Sequence, residues 1–426
     1  MLFSILIYNF IFVPIFVLLT KLLKPFIPKL KEREGNINKS LKNLDKLNKT
    51  EKIIWIHSAS MGEFEQAKPI IEQLKSIYSN IQIVCTFFSP SGYNTQKTYK
   101  YADAISYLPF DSKRKVVKFI NKINPNVAIF VRYELWLNYL TVLKQRNIPT
   151  ILINATFPKI IKKISFLAFF YRNIFELFRE IYIMSNKDYN DFLTLKLNTK
   201  LYKSSDTRFE RIIEKVEEAK TKQILLKEYF PNNNIILVAG STWKIDEEYI
   251  IDAVIKVNII YNNIINLIIV PHEPNENNIN RLKNKINKFI LFSQIIRANE
   301  NYKSIKIIDE VVIVDTIGIL LKLYGIADIA YVGGSFGAGV HSLAEPAGYG
   351  IPICTGKNCF NSPDAIQLKE KQALCIIENA SELEKWLIKI IEDKSFRINS
   401  GNAAKNYIIN NAGATQQIIK AIEQYI

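Results

Sequence analysis

The chain has 426 residues, 48% of them hydrophobic and 23% charged, which suggests two or three domains and excludes a disordered or collagen-like chain. Only one stretch is long and apolar enough to span a bilayer, so a polytopic membrane protein is excluded too. Lys and Arg number 56 against 40 acids, a formal charge of +16, which suits polyanionic partners or an anionic surface.

The first element is the uncharged run Met1–Thr20. As a helix it would reach about 30 Å, just enough for the hydrocarbon core. Asn9 and Pro14 interrupt it, so a shallow or kinked anchor and a buried core helix stay open beside a span. Residues 21–52 then carry ten Lys/Arg and four acids. With Lys21, Lys24, Lys29, Lys31 and Arg33 next to the apolar run, the positive-inside rule places the bulk of the chain on the cytoplasmic side, and these cations can meet anionic headgroups.

From residue 53 apolar runs and amphipathic stretches alternate. Ile53–His57, Ile81–Phe87, Val127–Val131, Thr150–Ile153 and Ile181–Met184 read as strands. Helical periods cover Glu63–Tyr78, 111–122, 134–146 and 186–195. The pattern predicts a parallel sheet covered by helices. The basic and aromatic stretch Lys159–Arg179 reads either as a lipid-facing surface or as a helix packing Phe and Leu into the core.

The first motif, residues 55–69, places a loop and a helix start behind the first strand. Ser60 and Glu63 have the capping-box spacing. A carboxylate here is also placed to act as a base on a substrate hydroxyl, and Gly62 leaves room for a substrate to come close. Both readings of Glu63 stand on the residues alone.

The strand–helix pattern restarts after a polar stretch. Ile235–Ala239, Leu267–Val270, Phe289–Phe292, Val311–Val314, Ile329–Val332 and Ile351–Cys354 read as strands, and 379–392 and 394–425 as helices. The α/β pattern divides into an anchor and basic juxtamembrane segment (1–33), a first Rossmann-like domain (34–208), a linker (209–232), a second Rossmann-like domain (233–403) and a C-terminal helix (404–426) able to return to the first domain. The natural ligand site is a cleft between the two domains.

The second motif, residues 332–358, runs from a strand through Gly333, Gly334, Ser335, Gly337 and Gly339 to a helix from about Ser342. Gly-rich backbone before a helix start can cradle a phosphate. Neither a Walker A nor a dinucleotide fingerprint is present. Glu345, near that helix start, can accept ribose hydroxyls or simply pair with the helix dipole. Ser241 and Thr242, Pro271 and His272, and the Asp315–Leu320 turn follow other strands. Four separated cysteines without a CxxC, and only three histidines, predict reduced thiols and no metal site.

The runs WIHSASMGE, Phe88–Gly92, YLPFD, RYELW, DTRF, AGSTW, DTIGIL and VGGSFGAGVHSLAEPAGYGIP resemble, in order and over nearly the whole chain, the 3-deoxy-D-manno-octulosonate (Kdo) transferases. The resemblance implies a GT-B glycosyltransferase of two Rossmann-like domains with an N-terminal membrane-anchor helix at the cytoplasmic face of the inner membrane. It implies transfer of Kdo from CMP-Kdo to a lipid A precursor (lipid IVA) in lipopolysaccharide synthesis, with inversion and without metal or other cofactor. By that resemblance Glu63 is the base. CMP contacts fall on Pro271 and His272, on Ile317, Gly318 and Ile319, and on Ser342, Leu343, Ala344 and Glu345. Ser241, Thr242, Gly334 and Ser335 are expected to complete the donor side, and Ser60, Gly62, Arg132, Glu134 and Arg208 are the acceptor-side candidates. The chain departs from the family pattern at His341-Ser342, at Pro271-His272-Glu273 and at Ser205. Other readings are a GT-B enzyme using a UDP-sugar on a lipid and, in another class, a membrane-tethered polyanion-binding protein. No nucleic-acid motif supports a nucleic-acid partner.

Overall fold

The computed structural model describes residues 2–426 except 223, 226, 232–233, 301–305, 309, 338 and 361. Its contacts fall into two units, Met1–Arg211 with Ala412–Ile426, and Ile212–Asn411.

The first unit is built on a seven-stranded sheet: β1 (Lys52–Ser58), β2 (Ile81–Phe87), β3 (Ala104–Tyr107), β4 (Val127–Val131), β5 (Thr150–Ala155), β6 (Glu180–Ile183) and β7 (Lys200–Lys203). Their order is β3-β2-β1-β4-β5-β6-β7, and every neighbouring pair is parallel. Helices cover both faces, so the central strands are apolar on both sides and fully buried. Trp55 of β1 is buried edge-on to Phe119 and Phe130, and its indole N–H donates to Thr86 Oγ1 at 2.8 Å.

The second unit repeats the plan with β8 (Ile235–Thr242), β9 (Ile265–Pro271), β10 (Phe289–Leu291), β11 (Val311–Ile313), β12 (Ile329–Val332), β13 (Ile353–Gly356) and β14 (Leu374–Ile377). The order is β10-β11-β9-β8-β12-β13-β14, again all parallel. In each sheet the strand order reverses beside the first strand, between β1 and β4 and between β8 and β12. Open α/β sheets bind ligands outside the strand ends at such points.

Several expectations change. The strands β3, β7 and β14, all at sheet edges, escape the sequence pattern; β7, KLYK, is exposed at both ends, and edges carry Lys to discourage pairing. The segment 209–232 begins as a helix, Arg208–Thr221, because Phe209, Val216 and Ala219 bury one face of it. The 394–425 helix is two, Lys394–Asn410 and Ala414–Glu423, broken at Gly413 with φ +109°. Residues 412–426 belong to the first unit, where Glu210 accepts the N–H groups of Gly413 and Thr415 at 2.8 Å each and Ile418, Ile419 and Ile422 pack against the helix Met61–Ile77. Cys354 and Cys375, far apart in sequence, are cross-strand partners on β13 and β14.

The N-terminal run is helical from Leu2 to Leu23, with a wider π-type turn over Tyr8–Phe12 where Pro14 has no N–H to give. A second helix, Pro28–Lys42, returns along the first unit. Arg33 is not a headgroup-facing cation. It is buried, sandwiched on Phe88 and Phe110, and donates to the carbonyl of Phe88 at 3.0 Å and to that of Leu108.

Candidate functional site

In the first unit the helix Met61–Ile77 starts directly after β1. The Glu63 carboxylate accepts the backbone N–H of Ser60 at 2.7 Å and also the Ser60 hydroxyl. Both bonds fall on Oε2, and Oε1 has no hydrogen-bond partner among the described residues. Capping and proton abstraction are therefore compatible: one oxygen holds the helix start, the other faces outward. Gly62 is exposed, and a Cβ there would meet only Ser60 Oγ at 3.9 Å.

Across the switch point, β4 is followed by Arg132, a non-glycine residue with φ +64°. That turn brings Glu134 back over β1. His57, fully buried in β1, binds Glu134 Oε2 through Nε2 at 2.9 Å and Thr86 Oγ1 through Nδ1 at 2.9 Å. Trp136 donates to the same Glu134 oxygen at 2.6 Å. The structure thus brings Ser60, Gly62, Glu63, Arg132 and Glu134 together on loops behind adjacent strands. Arg208 follows the edge strand β7 instead and pairs with Asp206 at 2.7 Å. Asp206 also accepts Gln66 Nε2 at 2.9 Å, tying the DTRF run to the helix that Glu63 opens.

In the second unit the glycine loop packs on the β8 turn. Buried Asp246 accepts the N–H groups of Trp243 and Gly334 at 2.9 Å each and the Tyr331 hydroxyl at 2.8 Å. Burial raises its pKa and these three donors pull it down. A Cβ on Gly333 would lie 2.4 Å from Ser241 O, and Gly334 has φ +95°. These glycines are required by close packing, and the Gly334 N–H is already spent on Asp246. The Ser335 hydroxyl is likewise turned inward, bonded to Thr355 Oγ1 and the Gly356 N–H at 2.7 Å each. Both groups have partners within the protein, while Gly334, Gly337 and Gly339 line a cavity of about 460 Å³.

The remaining donor-side residues form two clusters. In one, His272 stacks between Trp243 and His341, with ring centroids 4.9 and 4.3 Å away. The Trp243 indole donates to His341 Nε2 at 3.2 Å. Burial, then His272, lower the His341 pKa, which favours the neutral, accepting ring. Thr242 and His272 line an adjoining cavity of about 270 Å³, and Ser241 has φ +53°. Pro271 is buried as the last residue of β9.

In the other cluster, Gly318 and Glu345 line one cavity of about 400 Å³ with Lys215, Lys222 and Lys322. Glu345 accepts no hydrogen bond among the described residues. Burial raises its pKa and Lys215 opposes the shift. Ile317 is exposed beside the cavity mouth residue Gly318, with Ile319 half-buried. Ser342 is exposed, whereas the Leu343 and Ala344 side chains are buried, so only backbone is on offer there. The helix at Glu345 is short, Ala344–Tyr349.

Sequence reasoning missed His57 and Trp136, which only the fold brings to Glu134, and Asp246, which reads as an ordinary first-turn acid. Lys215 and Lys222 went unread inside the 209–232 linker, although with Glu218 and Ala219 they keep an i, i+3, i+4, i+7 spacing that signals one helix face. Among the described residues no group of three or more metal-ligating side chains occurs.

Residues 29–211 match the family model described as 3-Deoxy-D-manno-octulosonic-acid transferase (kdotransferase). The chain is 30% identical over 387 residues to the 3-deoxy-D-manno-octulosonic acid transferase of Haemophilus influenzae, covering 88% of this chain and 87% of that one. It is 29% identical over 345 residues to that of Aquifex aeolicus, covering 80% and 86%. Among solved structures it is similar to a UDP-GlcNAc 2-epimerase from Neisseria meningitidis, with a TM-score of 0.60 at 11% identity over 88% of this chain and 100% of that one. A glycosyltransferase from Rickettsia africae gives a TM-score of 0.50 at 14% identity over 88% and 98%. The structural likenesses are of fold, and the fold is GT-B. The chain thus belongs to the 3-deoxy-D-manno-octulosonic acid (Kdo) transferase family and is a glycosyltransferase.

Proposed function

We propose that this Kdo transferase takes Kdo from CMP-Kdo and adds it to a lipid A precursor, lipid IVA, in lipopolysaccharide synthesis. The reaction inverts the anomeric centre and proceeds without a metal at the cytoplasmic face of the inner membrane. The observation that carries the donor assignment is the joint lining of one cavity by Gly318, Glu345 and three lysines. The glutamate suits ribose hydroxyls and the lysines suit the phosphate. In the transfer, Glu63 Oε1 takes the proton of the acceptor hydroxyl as its oxygen bonds the keto-sugar's anomeric carbon. The bond from that carbon to the phosphate oxygen breaks, and CMP leaves with the electron pair. A positioned base typically contributes about 10²–10⁴-fold. Fixed cations and dipoles stabilise the developing charge on the leaving group. The excess of cations over acids fits a donor and an acceptor that are both anionic.

Purified protein incubated with CMP-Kdo and a tetraacyl lipid A precursor should give a product heavier by one or more Kdo units by mass spectrometry. The yield should be unchanged in EDTA. Transfer from a UDP-sugar in place of CMP-Kdo would overturn the donor assignment, and loss of activity in EDTA would overturn the metal-free mechanism.

A further inference from the structure

The run Ser4–Leu23 has the length and composition of a membrane span, yet its first half is bound to the protein. The Tyr8 hydroxyl donates to Asp111 Oδ2 at 2.8 Å. Asn9 and Asn138 exchange two side-chain bonds, at 2.9 and 2.8 Å. Ser4 accepts Asn173 Nδ2 at 3.1 Å. Val13 packs on the core of the first unit, and Phe16 meets Phe110 edge-on at 5.6 Å. The partners Asp111 and Asn138 are themselves buried, so withdrawing the helix would strand polar groups in the protein and carry others into lipid.

With residues 4–16 docked, about eleven residues remain before the chain turns back at Pro28, roughly 16 Å of helix against a hydrocarbon core of about 30 Å. That remainder contains Lys21 and Lys24, both exposed. It is too short and too charged to cross. The side away from the docked face is apolar along the helix: Ile11, Ile15, Leu18 and Leu22 keep i, i+4, i+7 and i+11 spacing, and all are more than half exposed. Two residues behind each lie Asn9, Val13, Phe16 and Thr20, about 200° round the helix, on or near the docked side. The helix Ser165–Phe175, joined to Ser4 through Asn173, adds exposed Phe169.

We propose that residues 4–27 lie in the plane of one leaflet of an anionic bilayer and do not cross it. The docked polar stripe faces the protein, the Ile11–Leu22 stripe enters the interface, and Lys21, Lys24 and Lys29 reach headgroups, as amphipathic interfacial helices do. This rests on the membrane association proposed above and specifies its geometry. It puts the N-terminus on the same side of the membrane as both catalytic units.

The test is a full-length protein with one epitope at the N-terminus and another at the C-terminus, probed with protease in spheroplasts and in inside-out vesicles. Both epitopes should be protected in spheroplasts and both cleaved in inside-out vesicles. An N-terminal epitope cleaved only from outside would overturn the in-plane placement while leaving membrane association intact. Recovery of the protein in the soluble fraction would overturn both. In cosedimentation with phosphatidylethanolamine–phosphatidylglycerol vesicles, Leu18→Asp should bind at least about threefold more weakly, and undiminished binding would overturn the lipid-facing stripe. Asn9→Leu should lower the melting temperature, and an unchanged melting temperature would overturn the docking.

Discussion

Glu63 and Glu345 occupy comparable places, each near a helix start behind a strand at the switch point of its sheet, but they are held in opposite ways. Glu63 is fixed by its own helix: Oε2 takes both the N–H and the hydroxyl of Ser60. Glu345 has no hydrogen-bond partner among the described residues, is raised in pKa by burial, and opens on a cavity with three lysines. A carboxylate held by one oxygen keeps a defined direction for the other, which suits proton abstraction. A desolvated carboxylate without a partner gains most from a ligand that brings hydroxyl donors.

The largest expected effect tests the first half of that contrast. Glu63→Gln preserves an oxygen for the Ser60 donors, so the melting temperature and CMP affinity should stay near those of the parent. Turnover should fall at least about a hundredfold. Near-normal turnover would reduce Glu63 to its capping role and erase the distinction between the two residues.

The second half is tested by Glu345→Ala. Loss of hydrogen bonds to a charged group should weaken CMP binding by about 1–3 kcal/mol, measured by calorimetry. Acid titration sharpens the same point. A raised folded-state pKa means that the stability gained from the protonated form is present at low pH and is lost as pH rises through the folded pKa. The ionised form, proposed above to accept ribose hydroxyls, is correspondingly lost on acidification earlier than for an exposed glutamate. CMP affinity should therefore fall at higher pH in the parent than an ordinary carboxylate would predict, and that component should vanish in Glu345→Gln.

Between the two carboxylates in consequence lies Asp246, whose acceptors are all occupied. Asp246→Ala strands the Gly334 and Trp243 N–H groups and the Tyr331 hydroxyl, and each unsatisfied group costs about 1–3 kcal/mol when it cannot reach water. Denaturant unfolding should show a loss in that range or above. No loss would mean that the glycine loop is held by packing alone.

The smallest effect concerns Asp111. Burial lifts its pKa from 3.8 to about 6, against the pull of the Tyr8 hydroxyl and the Asn138 and Tyr139 N–H groups. Its contribution to stability is full below the ordinary carboxylate value and declines as pH rises through about 6. Between pH 5 and 7 the parent should lose more stability than Asp111→Asn does. The ionisable groups that interact with it are Tyr8 and Tyr139. Parallel curves would mean that Asp111 is ionised throughout. Because Tyr8 is among its partners, removing residues 1–20 should also lower the melting temperature, beyond any change in membrane binding.

How much was legible follows from the range of each interaction. The central strands were read because burial on both faces leaves uninterrupted apolar runs such as Ile53–Ile56. The Ser60–Glu63 pair was read because capping acts over three residues. The edge strands β3, β7 and β14 were not read, since their pairing partners lie elsewhere in the chain. The glycine loop was located, but its packing was not: the spacing suggested amides open to phosphate, and the fold gives one of them, the Gly334 N–H, to Asp246.

Local periodicity was enough to indicate the α/β class, and the resemblance of the ordered motifs to those of the Kdo transferases indicated the family. Only tertiary structure decided which groups meet. His57 reaches Glu134, Glu345 shares a cavity with Lys215 and Lys322, and Cys354 faces Cys375 because parallel sheets join strands through long crossovers. The N-terminal helix shows the same division most plainly. Its apolar composition predicts affinity for lipid, but whether it can cross depends on Asp111, Asn138 and Asn173, which no local pattern connects to Tyr8, Asn9 and Ser4.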